Sequence, residues 1–184
     1  IINLGIIKAN IMKKNFYLLL SISIILFSCE SGDSSPQVIG FTADQDGVKT
    51  DVIAGPSDNV SIWENYIEAH NSRDMDAIRN LNSDDFSAYG EAGQVVEGSD
   101  AHIGFLSEWF EISNPKWKVL WAISNSGYNV NNDMADFVTA GHELVMSVDG
   151  EEVTLYQVID AMIADGKIVN FNVYQQERGQ ASTE

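Results

Sequence analysis

The sequence predicts an α+β layer fold, with helices leading and an antiparallel sheet following. Three observations carry that prediction. Between Val60 and Glu111, apolar residues recur at helical spacing behind residues that cap helix starts. Beyond Pro115 they alternate with polar residues, the period of a strand with one buried face. Asp149-Gly150 and Asp165-Gly166 punctuate this second half as hairpin turns. Helices first and a meander afterwards place the helices on one face of the sheet.

Ahead of that domain, Met12 to Cys29 reads MKKNFYLLLSISIILFSC. Two lysines, an apolar run from Phe16 to Phe27 and a small residue before the cysteine make the layout of a secretory signal. The run is shorter than the roughly 20 apolar residues that span a bilayer, and Ser21 and Ser23 interrupt it. Leu26-Phe27-Ser28-Cys29 resembles a bacterial lipobox, which implies cleavage before Cys29 and a diacylglycerol on its sulfur. Residues 1–28 are then a signal peptide, with 1–11 lying upstream of a start at Met12. Two or three acyl chains hold a protein firmly on a membrane where one does not. The expected location is the bacterial cell envelope, anchored to the outer membrane and facing the periplasm or the exterior. The acids just after Cys29 resemble the surface-export signals of Bacteroidetes lipoproteins.

Removing residues 1–28 takes three lysines and no acid from a chain of formal charge −17, leaving −20. Such a surface repels phosphates, so nucleic acid is not an expected partner. Cys29 is the single cysteine, so its lipidation leaves no thiol for a disulfide, a nucleophile or a thiolate metal site.

Residues 29–57 read as the lipidated cysteine and a Ser-, Gly-, Asp- and Pro-rich flexible tether containing a short hairpin. Val38–Ala43 and Val48–Ile53 flank Gln45-Asp46-Gly47; the segment lacks the later ligands of a calcium loop and reads as a turn. Ser57-Asp58-Asn59 offer caps for a helix from Val60 to about Asn71, on which Trp63, Tyr66, Ile67 and His70 share one face. Asp74 caps a second helix, Met75 to Leu81. Phe86–Tyr89 is a brief strand, and Ser99 caps a third helix, Asp100 to about Glu111. Trp117, Val119, Trp121 and Ile123 alternate along the next strand. Met134–Val148 is long enough for Gly141 to mark a bulge or bend in its middle. Val153–Ile163 and Lys167–Gln176 complete the sheet, and residues 179–184 form a disordered tail.

The local cues are Trp63…Tyr66…Ala69-His70-Asn71…Asp74-Met75-Asp76, Asp84-Asp85-Phe86, Val96-Glu97-Gly98 and Asp165-Gly166-Lys167-Ile168-Val169…Tyr174. In this order they resemble the nuclear transport factor 2-like superfamily, with its SnoaL-like domains and ketosteroid isomerase, over residues 58–178. The resemblance implies a cone-shaped domain, three N-terminal helices packed on a curved antiparallel sheet around a pocket, often paired as a homodimer. It also exposes departures. Isomerase-like members carry a carboxylate base near Gly90, where this chain reads Tyr89-Gly90-Glu91. SnoaL-like members commonly place an aspartate two residues after the last tyrosine, where this chain has Gln176, an amide that cannot act as a general base.

His102 is the leading catalytic candidate, because imidazole titrates near physiological pH. Scytalone-dehydratase-like relatives pair histidines with an aspartate, so Asp160, between Ile159 and Ala161, is the candidate partner, with Tyr89 as the alternative. The bland alternative for His102 is a ring bonded to a neighbouring loop or to the Ser99 cap, and His70 reads as a packing residue. On the long strand His142 and Glu143 point to opposite faces. Candidate ligand contacts are Trp63, Tyr89, Trp109, His142, Tyr156 and Gln176. No metal or cofactor is expected, since the three histidines lie far apart and none has a helical partner ligand. The expected function is binding of a small apolar or aromatic molecule in the cavity. The alternatives are a small dehydratase or isomerase with His102 as general base, and a module for dimerisation or protein recruitment.

Overall fold

The computed structural model describes residues 35–178. The signal segment, Cys29, the start of the tether and the tail at 179–184 lie outside the described residues. From Pro36 onward the order is β1 (Val38–Ala43), β2 (Lys49–Ala54), α1 (Asp58–Ser72), α2 (Met75–Leu81), β3 (Asn82–Tyr89), β4 (Val95–Glu97), α3 (Ser99–Ser113), β5 (Lys116–Tyr128), β6 (Met134–Val148), β7 (Glu151–Ala164) and β8 (Lys167–Gln176). The strands form one eight-stranded sheet in the order β1-β2-β5-β6-β7-β8-β3-β4.

The N-terminal hairpin belongs to this sheet. Asp44 accepts the amides of Asp46 and Val48 at 3.0 and 2.8 Å, and Gly47 takes φ 79° to close the turn. Ile53 and Ala54 then pair with Ser126 and Asn125 of β5. At the opposite side the sheet departs from the all-antiparallel expectation: β3 runs parallel to β8. Parallel neighbours need a long crossover, and everything from β4 to β7 supplies it. The short β4, not anticipated from sequence, pairs with β3 across the Gly90–Gln94 turn.

Two bulges decide which side chains face the helices. In β5, Val119 pairs with His142 and Trp121 with Gly141, so Leu120 is an extra residue. Beyond it the parity reverses. Trp117 and Val119 pack on the core, whereas Trp121 and Ile123 stand on the outer face, about half exposed. The bulge expected near Gly141 therefore lies on the strand opposite it, and the Trp121 indole covers the space a Gly141 side chain would need. In β8, Met162 pairs with Asn170 and Ile163 with Ile168, making Val169 the extra residue.

The helices cover the inner face. Asp74 caps α2, accepting the Ala77 amide at 2.9 Å. Ser99 is not the cap of α3: Gly98, at φ 87°, takes that position, and the Ser99 hydroxyl accepts from Asn82 at 3.0 Å. Asn71 ties α1 to β5 as a strand would, donating to the Trp117 carbonyl at 2.7 Å and accepting its amide at 2.9 Å. Arg73, at φ 65°, closes the same corner by donating to the carbonyls of His70 and Pro115. The core is Trp63, Tyr66, Ile67, Ile78, Phe86, Leu106 and Phe110 against Val138, Ala140, Ile159, Ala161 and Ile168.

Candidate ligand-binding cavity

Between the helices and the inner face of the sheet lies a cavity of about 780 Å³. Trp63, Phe105, Trp109 and Trp117 provide aromatic wall, and Leu155, Ile159 and Val173 an aliphatic one. Exposed Glu91, Gln94 and Glu177 stand at its rim. Such a mostly apolar hollow with a few placed polar groups is the form of a small-molecule site.

The inner polar groups come from α1, α3 and the sheet. The i, i+3, i+4, i+7 face of α1 presents Trp63, Tyr66, Ile67 and His70, all buried and all in the cavity wall. His70 Nδ1 donates to the Tyr66 carbonyl at 2.7 Å, since a carbonyl can only accept. Burial lowers its pKa to about 4; the Tyr66 carbonyl opposes the shift and nearby Arg73 adds to it. His102, in the first turn of α3, stacks on Phe86 with centroids 4.8 Å apart. Burial and the neighbouring His70 ring lower its pKa to about 3.

Asn82 organises this end. Tyr66 donates its hydroxyl to Asn82 Oδ1 at 2.7 Å, and burial pushes the Tyr66 pKa well above its ordinary value, keeping it a neutral donor. That contact turns the Asn82 amide nitrogen toward Ser99 Oγ and His102 Nδ1, at 3.0 and 3.3 Å. Across the cavity, Trp117 Nε1 donates to Gln157, and Gln157 donates to Gln175, at 3.0 and 2.7 Å.

The candidates divide between the two faces of the sheet. His102, Trp63 and Trp109 line the cavity together. Asp160 does not join them. Its neighbours Ile159 and Ala161 point inward, so strand parity sends its carboxylate outward, where Thr139 Oγ1 donates to it at 2.6 Å. The His102–Asp160 dyad is therefore not formed. Tyr156 also lies on the outer face, between inward Leu155 and Gln157, with the Arg178 guanidinium 3.7 Å over its ring. Tyr89 follows inward Ala88 and stands outside the cavity. The Val169 bulge sends Gln176 outward and Gln175 inward, the reverse of the expected placement. His142 is on the inner face but sealed behind Trp63, whose indole donates to its Nε2 at 3.0 Å. Burial lowers its pKa to about 4, with the Ala140 backbone opposing.

His70, Tyr66, Trp117 and Gln175 line the cavity without having been expected there, and Asn82 stands behind them as a hydrogen-bond partner of Tyr66 and His102. The apolar periodicity of α1 already marked His70 and Tyr66; no motif marks Asn82 or Gln175. Among the described residues no His/Cys/Asp/Glu group is arranged to hold a metal.

A helix-lined hollow over a curved mixed sheet is the architecture of the nuclear transport factor 2-like superfamily. Within it, the SnoaL-like domain model matches residues 60–156, more than half of the chain, and the chain belongs to that family. No curated protein matches the sequence. Solved structures agree on the fold. A candidate ketosteroid isomerase from Kribbella flavida is 14% identical, with 67% of this chain and 82% of that chain covered and a TM-score of 0.52. A candidate SnoaL-like polyketide cyclase from Jannaschia sp. is 20% identical, with coverages of 64% and 84% and a TM-score of 0.51. TerC, co-crystallised with polyporic acid, is 16% identical, with coverages of 65% and 92% and a TM-score of 0.54.

Proposed function

We propose that this SnoaL-like domain binds a small apolar or aromatic molecule in its cavity and is held on the outer membrane through lipidated Cys29. The observation that carries the binding reading is the 780 Å³ hollow walled by aromatic rings. Trp109 lines that hollow without filling it, and Phe110 packs in the core, which favours a binding site over a purely structural module. Polyporic acid in the TerC crystal supports a small organic ligand for this fold. The test is native mass spectrometry of the purified full chain, which should reveal a bound small molecule released on denaturation. Purified protein of apo mass that also ignores a library of aromatic compounds would contradict the reading.

A dehydratase or isomerase with His102 as general base is the second reading, favoured by the place of that ring in the cavity wall. It is the weaker one. The Asn82 amide on Nδ1 leaves the proton on Nε2, so the ring faces a ligand as a donor, and its depressed pKa makes it a poor base.

For the anchor, Cys29→Ser should move the protein from membrane to soluble fractions; retention in membranes would refute it. We also propose that two copies pair through the outer face of the sheet, where Trp121, Ile123 and Tyr174 are 45, 53 and 63% exposed. Sedimentation should give a dimer that Trp121→Glu dissociates, and a monomeric wild-type chain would exclude the pairing.

A further inference from the structure

We propose that the cavity selects a neutral aromatic hydroxyl, which donates to Nε2 of His70 and accepts from Nε2–H of His102. The inference rests on the binding reading above and names its ligand class.

The two tautomers are set by different neighbours. His70 Nδ1 faces a carbonyl 2.7 Å away, so it carries the proton and Nε2 is a bare acceptor. His102 Nδ1 faces the Asn82 amide nitrogen at 3.3 Å, whose orientation is fixed because Asn82 Oδ1 already accepts from Tyr66. His102 Nδ1 is therefore the acceptor and its Nε2 carries the proton. The Tyr66 oxygen, 3.5 Å from the same Nδ1, is too distant to reverse this. One ring thus offers an acceptor and the other a donor.

Both rings line the cavity, and their centroids are 5.6 Å apart. Among the described residues, no protein group hydrogen-bonds Nε2 of either ring. A hydroxyl is the smallest group that donates and accepts through one oxygen, and two rings this close can share one such group. The remaining inner polar groups, Gln157 and Gln175, are joined to Trp117 and to each other. The histidine pair is accordingly where an apolar ligand needs its polar atom.

The neutral form follows from charge. Burial holds both imidazoles uncharged at neutral pH, so the pair supplies no cation for a carboxylate or phenolate. Glu91 and Glu177 at the rim further disfavour an anion. Trp63, Phe105, Trp109 and Trp117 provide ring faces on which an aromatic skeleton stacks.

Isothermal titration calorimetry of the purified full chain at pH 7 separates these elements with 2-naphthol, naphthalene, 2-methoxynaphthalene and 2-naphthoate. The methyl ether still accepts from His102 but has no proton for His70. We expect 2-naphthol to bind at least about tenfold tighter than each of the others, the effect of stranding one buried partner. In His70→Phe the preference for naphthol over its methyl ether should fall to near unity. Should that variant fail to fold, the wild-type comparison of naphthol with its ether decides alone. Equal affinities for those two ligands would overturn hydroxyl selection while leaving aromatic binding intact. Absence of binding by all four would remove both.

Discussion

Trp63→Ala should lower the free energy of unfolding by about 4 kcal/mol, read from the denaturant midpoint at constant slope. Two effects combine. The indole is 1% exposed and packs against Tyr66 and Phe171, with centroids 5.6 and 6.3 Å away, so truncation leaves a cavity in the wall of α1. It also strands His142 Nε2, which is wholly buried and accepts only from Trp63 among the described residues. Trp63→Phe separates the terms. It keeps a ring but removes the donor, and should cost about 1–3 kcal/mol, the range for an unpaired buried polar atom. A loss below about 1 kcal/mol for Trp63→Ala would mean that the indole does not anchor α1 to β6.

Acid should destabilise this domain through its three buried histidines. His70, His102 and His142 are held neutral by burial, with pKa values lowered to about 4, 3 and 4 from an ordinary 6.5. The unfolded chain therefore binds more protons than the native one between pH 6.5 and about 4. The stabilising effect of the neutral rings is complete above pH 6.5 and is lost as pH falls through that window. Three such groups give a slope of up to about 4 kcal/mol per pH unit, at 1.36 kcal/mol for each proton. Urea midpoints at pH 7.5, 6.5, 5.5 and 5.0 should be level at first and then fall steeply. Equal stability from pH 7.5 to 5.0 would show that the rings are not buried as neutral species.

Much of the fold was legible in the sequence because the signals were local. The α1 face of Trp63, Tyr66, Ile67 and His70, the Asp74 cap and the Asp-Gly turns each depend on a few neighbouring residues, and each forms as read. What escaped depends on partners distant in sequence. The parallel pairing of β3 with β8 joins segments about 80 residues apart, and no local pattern encodes it. The Leu120 and Val169 bulges mattered more for the site. Each reverses strand parity, so even alternation carried Trp121 to the wrong face, and the position that the family resemblance assigned to Gln176 is turned outward. Asp160 illustrates the opposite error: simple parity, with Ile159 and Ala161 buried, already pointed it outward. The donor and acceptor roles proposed for His102 and His70 depend on Asn82 and the Tyr66 carbonyl, which set the ring protons and are distant from His102 in sequence.

The four tryptophans provide a direct test of the central claim that the interior is hollow and receptive. Trp63, Trp109 and Trp117 line the cavity, whereas Trp121 stands on the outer face of the sheet. In an ¹⁵N-correlated NMR titration with 2-naphthol, the indole signals of the first three should shift together while that of Trp121 stays in place. If Trp121 alone moves, or the three cavity indoles stay fixed at saturating ligand, the cavity is not a binding site.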